Sequence, residues 1–79
     1  MKIEIKMPAL HGEDKSILCA WNVDAGDIVN PGDTILEAEC DKVVHTVDAD
    51  QKMKICSILF EEGDEVEPGA VIALAESVN

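Results

Sequence analysis

Seventy-nine residues carrying 17 acidic side chains, six lysines and no arginine give a formal net charge of −11. Nothing in such a chain neutralises a run of phosphates or favours an anionic membrane surface, so neither nucleic acid nor membrane is an expected partner. A chain this short makes one domain, residues 1–79, burying about 60% of its unfolded surface, and its 47% hydrophobic content suffices for a single core.

Aromatic residues are limited to Trp21 and Phe60, so that core has to be built from Val, Ile, Leu and Ala. In chain order, "KIEIK" (2–6) alternates with period two and predicts a strand. "MKIEIKMPAL" interleaves charge with apolar residues and is no signal-peptide core, and no apolar run approaches the roughly 18 residues of a membrane span. "ILCAW" (17–21) is rich in strand formers, "AGD" (25–27) supplies a turn glycine, and "NPGD" (30–33) places Pro before Gly as a type II turn does. "TILEAE" (34–39) predicts another strand, "DK" (41–42) a hairpin tip, and "VVHTV" (43–47) the returning strand.

The second half repeats the first. With an offset of 37, residues 18–39 lie over 55–76 without a gap, and nine of those 22 positions are identical, including Gly26/Gly63, Asp27/Asp64, Pro31/Pro68 and Gly32/Gly69. Two copies of one β-unit are expected to pack face to face about a pseudo-two-fold axis, and no stretch shows a helical period. Under that axis the equivalent of Lys42 is Asn79, which puts the Lys42 turn and the chain termini at opposite ends of the domain. A group carried on Lys42 then points away from whatever the termini are tethered to.

These residues resemble the lipoyl/biotinyl attachment domains, and more closely the lipoyl domains of 2-oxo acid dehydrogenase complexes. The resemblance is carried by Met7, Pro8 and Leu10, by the pattern from Ile17 to Lys42, by Val47 and Ala49, and by Gly63 to Ala73. It implies an all-β fold, a flattened β-barrel or sandwich of two four-stranded sheets, with the modified lysine in a tight turn between strands. It implies lipoate joined to Lys42 by an amide, through a lipoate ligase or an octanoyl transferase. The resulting arm serves a thiamine-diphosphate-dependent 2-oxo acid decarboxylase, an acyltransferase core and a dihydrolipoyl dehydrogenase. The domain itself is expected to be a non-catalytic carrier, monomeric in isolation.

The flanks of the lysine separate two cofactors. Biotin carriers typically have Met on both sides, whereas Asp41 and Val43 flank Lys42 here, so both become candidate recognition residues for the modifying enzyme. Asp41 has a plainer reading as a turn former. The chain departs from the family after the lysine strand, with Asp50 and Met53 where "AP..G" is usual, and "HGEDKS" (11–16) lacks the usual wording of that loop. Two alternatives stand beside the lipoyl carrier: a biotin carrier of a carboxylase, and an unmodified β-module acting only by binding.

The remaining chemistry-bearing residues have structural readings. Trp21 is expected in the core, and His45 has no acid, serine or metal partner at a telling spacing. Cys40 reads as a small strand residue, while Cys19 and Cys56, equivalent in the repeat, read as matched packing sites. Three cysteines without metal-ligand spacing suit a reducing compartment, either the cytoplasm or the mitochondrial matrix. Lys52 and Lys54 are rival acceptors, but the repeat sets Lys54 opposite Ile17 at the start of a strand.

Overall fold

A computed structural model describes residues 1–9 and 15–78. It contains eight strands: β1 (Lys2–Lys6), β2 (Ser16–Trp21), β3 (Ile28–Val29), β4 (Thr34–Cys40), β5 (Val43–Asp48), β6 (Met53–Ile58), β7 (Glu65–Val66) and β8 (Val71–Ser77). No helix occurs among the described residues. The strands form two antiparallel sheets of order β1-β8-β6-β3 and β5-β4-β2-β7. The expected two-sheet fold is therefore present, and each sheet takes one short strand from the other half of the chain.

The repeat is visible in hydrogen bonds as well as in sequence. Gly26 N–H donates to Ile55 O at 2.6 Å and Ile55 N–H to Asp27 O at 2.8 Å. Their partners under the offset of 37 do the same, Gly63 to Leu18 O at 2.7 Å and Leu18 to Asp64 O at 2.9 Å. Each half thus uses its first turn to pin a strand of the other, which makes the two halves interdependent.

Alternation supplies the core. Leu18, Ile35, Leu36, Ala38, Ile55, Ile72, Ala73 and Ala75 are fully or almost fully buried, with Met7, Val29, Met53 and Val66 closing the ends. A Leu or Ile buried this completely contributes about 1.5–3 kcal/mol. Trp21 is half-buried against that core and its indole Nε1–H donates to Phe60 O at 2.9 Å, so the polar edge is satisfied while the ring packs.

The turns follow their chemistry. In 30–33 the N–H of Asp33 returns to Asn30 O at 3.0 Å with Gly32 at φ 93°, the third-position glycine of a type II turn. A carboxylate caps three of the four such turns: Asp27, Asp33 and Asp64 each accept through Oδ2 from the N–H three residues back, at 2.8–2.9 Å. The fourth turn has Ala70 at that place and keeps only the backbone bond from Ala70 N–H to Glu67 O, 3.1 Å. Past the departure at 50–53 the chain resumes pairing at Met53, whose side chain is in the core.

One expectation is corrected. Cys19 and Cys56 are equivalent, but both are exposed. They are the extra residues of matching β-bulges, between Leu18 and Ala20 and between Ile55 and Ser57. Each directly follows a fully buried residue, Leu18 or Ile55, so strand alternation itself turns these thiols outward instead of packing them. Each Sγ instead contacts the carbonyl two residues back at 3.6 Å.

Candidate functional site

Strands β4 and β5 pair from Thr34↔Asp48 to Cys40↔Val43, leaving two residues, Asp41 and Lys42, to reverse the chain. Their φ angles are 54° and 65°, the two positive values that a two-residue type I′ hairpin turn requires. Neither is glycine. Aspartate visits the left-handed region more readily than most residues, but a lysine there carries a cost of about 1 kcal/mol or more. The turn is held from below by Cys40, 2% exposed at the end of the core face, and by the continuous β4–β5 ladder.

Asp41, Lys42 and Val43 are all exposed. The aminobutyl chain of Lys42 therefore starts at the extreme end of a rigid hairpin, and its flexible stem extends outward. The opposite end of the domain is fixed by topology. Ser16 and Ile17 pair with Val66 and Glu65, so the turn leading into β8 lies at the Lys42 end. Strand β8 then runs the length of the domain, and at its far end Ser77 N–H bonds Met1 O at 3.0 Å. Seven strand residues span about 20 Å, which sets Lys42 and the paired termini apart as the repeat predicts. Leu10, the loop residues 11–14 and Asn79 lie outside the described residues.

The other sequence candidates fall elsewhere. His45 is half-buried, faces Ala38 across the ladder and points to the core side with Val47. No group of three or more His, Cys, Asp or Glu side chains among the described residues is arranged to hold a metal ion. Lys54 is the second residue of β6, paired on both sides with Ile28 and Glu76, and Lys52 lies just before that strand. Neither occupies a turn tip comparable to Lys42.

Comparison with known proteins agrees with this geometry. The profile of the biotin/lipoyl family, described as "Biotin-requiring enzyme", matches residues 3–74. A dihydrolipoyllysine-residue succinyltransferase component of the 2-oxoglutarate dehydrogenase complex from Staphylococcus saprophyticus is 35% identical over 72 residues, covering 90% of this chain and 17% of that protein. The acetyltransferase component of the acetoin cleaving system of Bacillus subtilis is 30% identical over 80 aligned positions, covering all of this chain and 20% of the relative. The chain thus spans a fifth or less of the length of these curated relatives. The solution structure of the lipoyl domain of the 2-oxoglutarate dehydrogenase complex from Azotobacter vinelandii superposes with a TM-score of 0.77 at 31% identity, covering 96% of this chain and 99% of that one. With the profile running almost end to end and the same two-sheet architecture in that domain, this chain belongs to the biotin/lipoyl attachment-domain family, and its fold is that of a lipoyl domain.

Proposed function

We propose that this domain is a lipoyl carrier of a 2-oxo acid dehydrogenase complex, with Lys42 as the attachment point. The observation that carries the reading is the placement of an exposed primary amine at the third position of a rigid type I′ turn, at the end of the domain remote from the termini. That amine fits lipoate because an amide needs only an accessible ε-amino group, and the exposed flanks Asp41 and Val43 leave room for an enzyme to approach. Lipoate bound there would supply a dithiolane for acyl capture and two-electron thiol–disulfide exchange.

The chain's own contribution is mechanical and electrostatic. The turn fixes the root of the arm while the lysine stem lets its end move. Forming the amide removes the cation of the turn itself, leaving the acidic side chains Glu39 and Asp41 beside a neutral stem. Tethering through the termini at the far end raises the effective concentration of the arm near its partners, so weak individual encounters suffice. On this reading the domain performs no chemistry itself. Its partners are a 2-oxo acid decarboxylase that uses thiamine diphosphate, the acyltransferase core, and dihydrolipoyl dehydrogenase. Asp41 and Val43 serve the modifying enzyme as recognition flanks.

The family profile also embraces biotin, so the test runs both cofactors in parallel. Intact mass and peptide mapping follow incubation with lipoate ligase, ATP and lipoate, or with biotin ligase, ATP and biotin. A single lipoyl adduct on the Lys42 peptide with no biotinyl adduct is expected. A biotinyl adduct alone would move the domain to the carboxylases, and no adduct with ligases proven active on control carriers would leave a binding module.

A further inference from the structure

The internal repeat permits a comparison within one molecule: the same sheet position occurs twice, once near Lys42 and once far from it. Next to the pair that closes the Lys42 turn, one outward-facing row crosses the sheet as Val44, Glu39, Ile17 and Glu65. The equivalent row on the other sheet is Lys2, Glu76, Lys54 and Ile28. Only the glutamate is shared. Where the far sheet has two lysines, the Lys42 sheet has valine and isoleucine, 56% and 48% exposed, and where the far sheet has isoleucine it has glutamate.

The segregation extends over both faces. The outward side chains of β5, β4, β2 and β7 include Glu37, Glu39, Asp48 and Glu65 and no lysine, whereas those of β1, β8, β6 and β3 mix Lys2, Lys6 and Lys54 with Glu4 and Glu76. The fold does not require this. The same backbone in the other half accepts lysine at the positions of Val44 and Ile17, so neither apolar side chain is there to build the sheet. Two half-exposed aliphatic side chains among carboxylates, one residue pair or about 3.4 Å along the strands from the turn, are placed to touch whatever engulfs Lys42.

We infer that the outer face of β5-β4-β2, centred on Val44 and Ile17, is the docking surface for the enzyme that acylates Lys42, and that this enzyme presents lysine or arginine side chains around an apolar contact beside its active-site mouth. Opposite charge at the rim steers the encounter, and the two aliphatic side chains hold it by excluding water at the centre. The inference rests on Lys42 being the acceptor.

The test uses purified lipoate ligase with ATP and lipoate, and follows initial rates of adduct formation on the whole chain by mass. The double variant Val44→Lys/Ile17→Lys copies the far sheet and is expected to fold, with a circular-dichroism melt close to the parent's. Its kcat/KM is expected to fall about tenfold, mostly through KM. The mirror variant Lys2→Val/Lys54→Ile is expected to stay within about twofold of the parent, as a face away from the contact does. Added salt should slow the parent by raising KM, and Glu37→Gln/Glu65→Gln should flatten that salt dependence. A folded Val44→Lys/Ile17→Lys chain modified at the parental rate overturns the inference, as does an equal loss in the mirror variant. Val44→Thr/Ile17→Thr, which suits strands and adds no charge, reads the apolar contact if the lysine variant fails to fold. If the parent itself acquires no adduct from a ligase active on a control carrier, the attachment reading fails first and the inference falls with it.

Discussion

At the scale of single residues, the turn of Asp41 and Lys42 separates what the chain needs for folding from what it needs for function. Both residues sit at positive φ and both side chains are exposed, so Lys42 adds little packing. Lys42→Arg is expected to abolish adduct formation in the mass assay while leaving the urea midpoint unchanged, because arginine keeps the charge and the length but offers no acylable amine under those conditions. Asp41→Val tests the backbone instead. A β-branched side chain in the left-handed region is expected to cost about 1–2 kcal/mol by urea denaturation. The thiols illustrate the limit of reading residues singly. Cys19 and Cys56 repeat at one offset and read as packing sites, yet each directly follows a fully buried residue and so takes the outward side of its strand, beside a bulge. Cys40, on an unbroken stretch of alternation, packs inward as expected.

At the scale of elements, the turns were legible because their chemistry is local. A glycine at φ 100° in the turn before β3 and its equivalent at φ 94° before β7 have open space where a Cβ would stand, so the cost of replacing either is conformational and not steric. Gly26→Ala and Gly63→Ala are expected to destabilise by similar amounts, about 1 kcal/mol or somewhat more, in parallel urea titrations. A large inequality would mean that the two halves differ in rigidity despite their matching bonds. Leu18 offers the contrast. It is completely buried, its backbone exchanges hydrogen bonds with Gly63 and Asp64, and Leu18→Ala is expected to cost about 2–5 kcal/mol. Because that strand is held by a turn from the other half, its loss should lower the single unfolding transition of the whole domain and not split it.

At the scale of the whole molecule, a net charge of −11 on a body of 37 × 21 × 18 Å is a self-repelling arrangement. Raising the ionic strength from about 0.01 M to about 0.15 M shortens the screening length from about 30 Å to about 8 Å and is expected to raise the melting temperature. A fall in Tm with salt would show that the acidic faces are compensated by partners within the domain. The same charge has a direction as well as a size, since the strand lysines gather on the sheet away from Lys42. That asymmetry was invisible as composition, because six lysines against 17 acids reads as uniform acidity until the strands are assigned to faces.

Periodicity, turn chemistry and the 37-residue repeat were enough to specify an all-β chain in two like halves, to set strand limits within a residue or two, and to mark Lys42 as the odd position at the boundary. They sufficed because alternation and glycine-dependent turns depend on neighbours in sequence. Which half lends which short strand, where the bulges fall, and which outward residues share a row with Val44 and Ile17 were decided only when the two sheets formed. Those features arise from pairing between strands, as of Leu18 with Ala38 at the bulge and of Gly26 with Ile55 and Leu18 with Gly63 between the halves, and no local pattern encodes them.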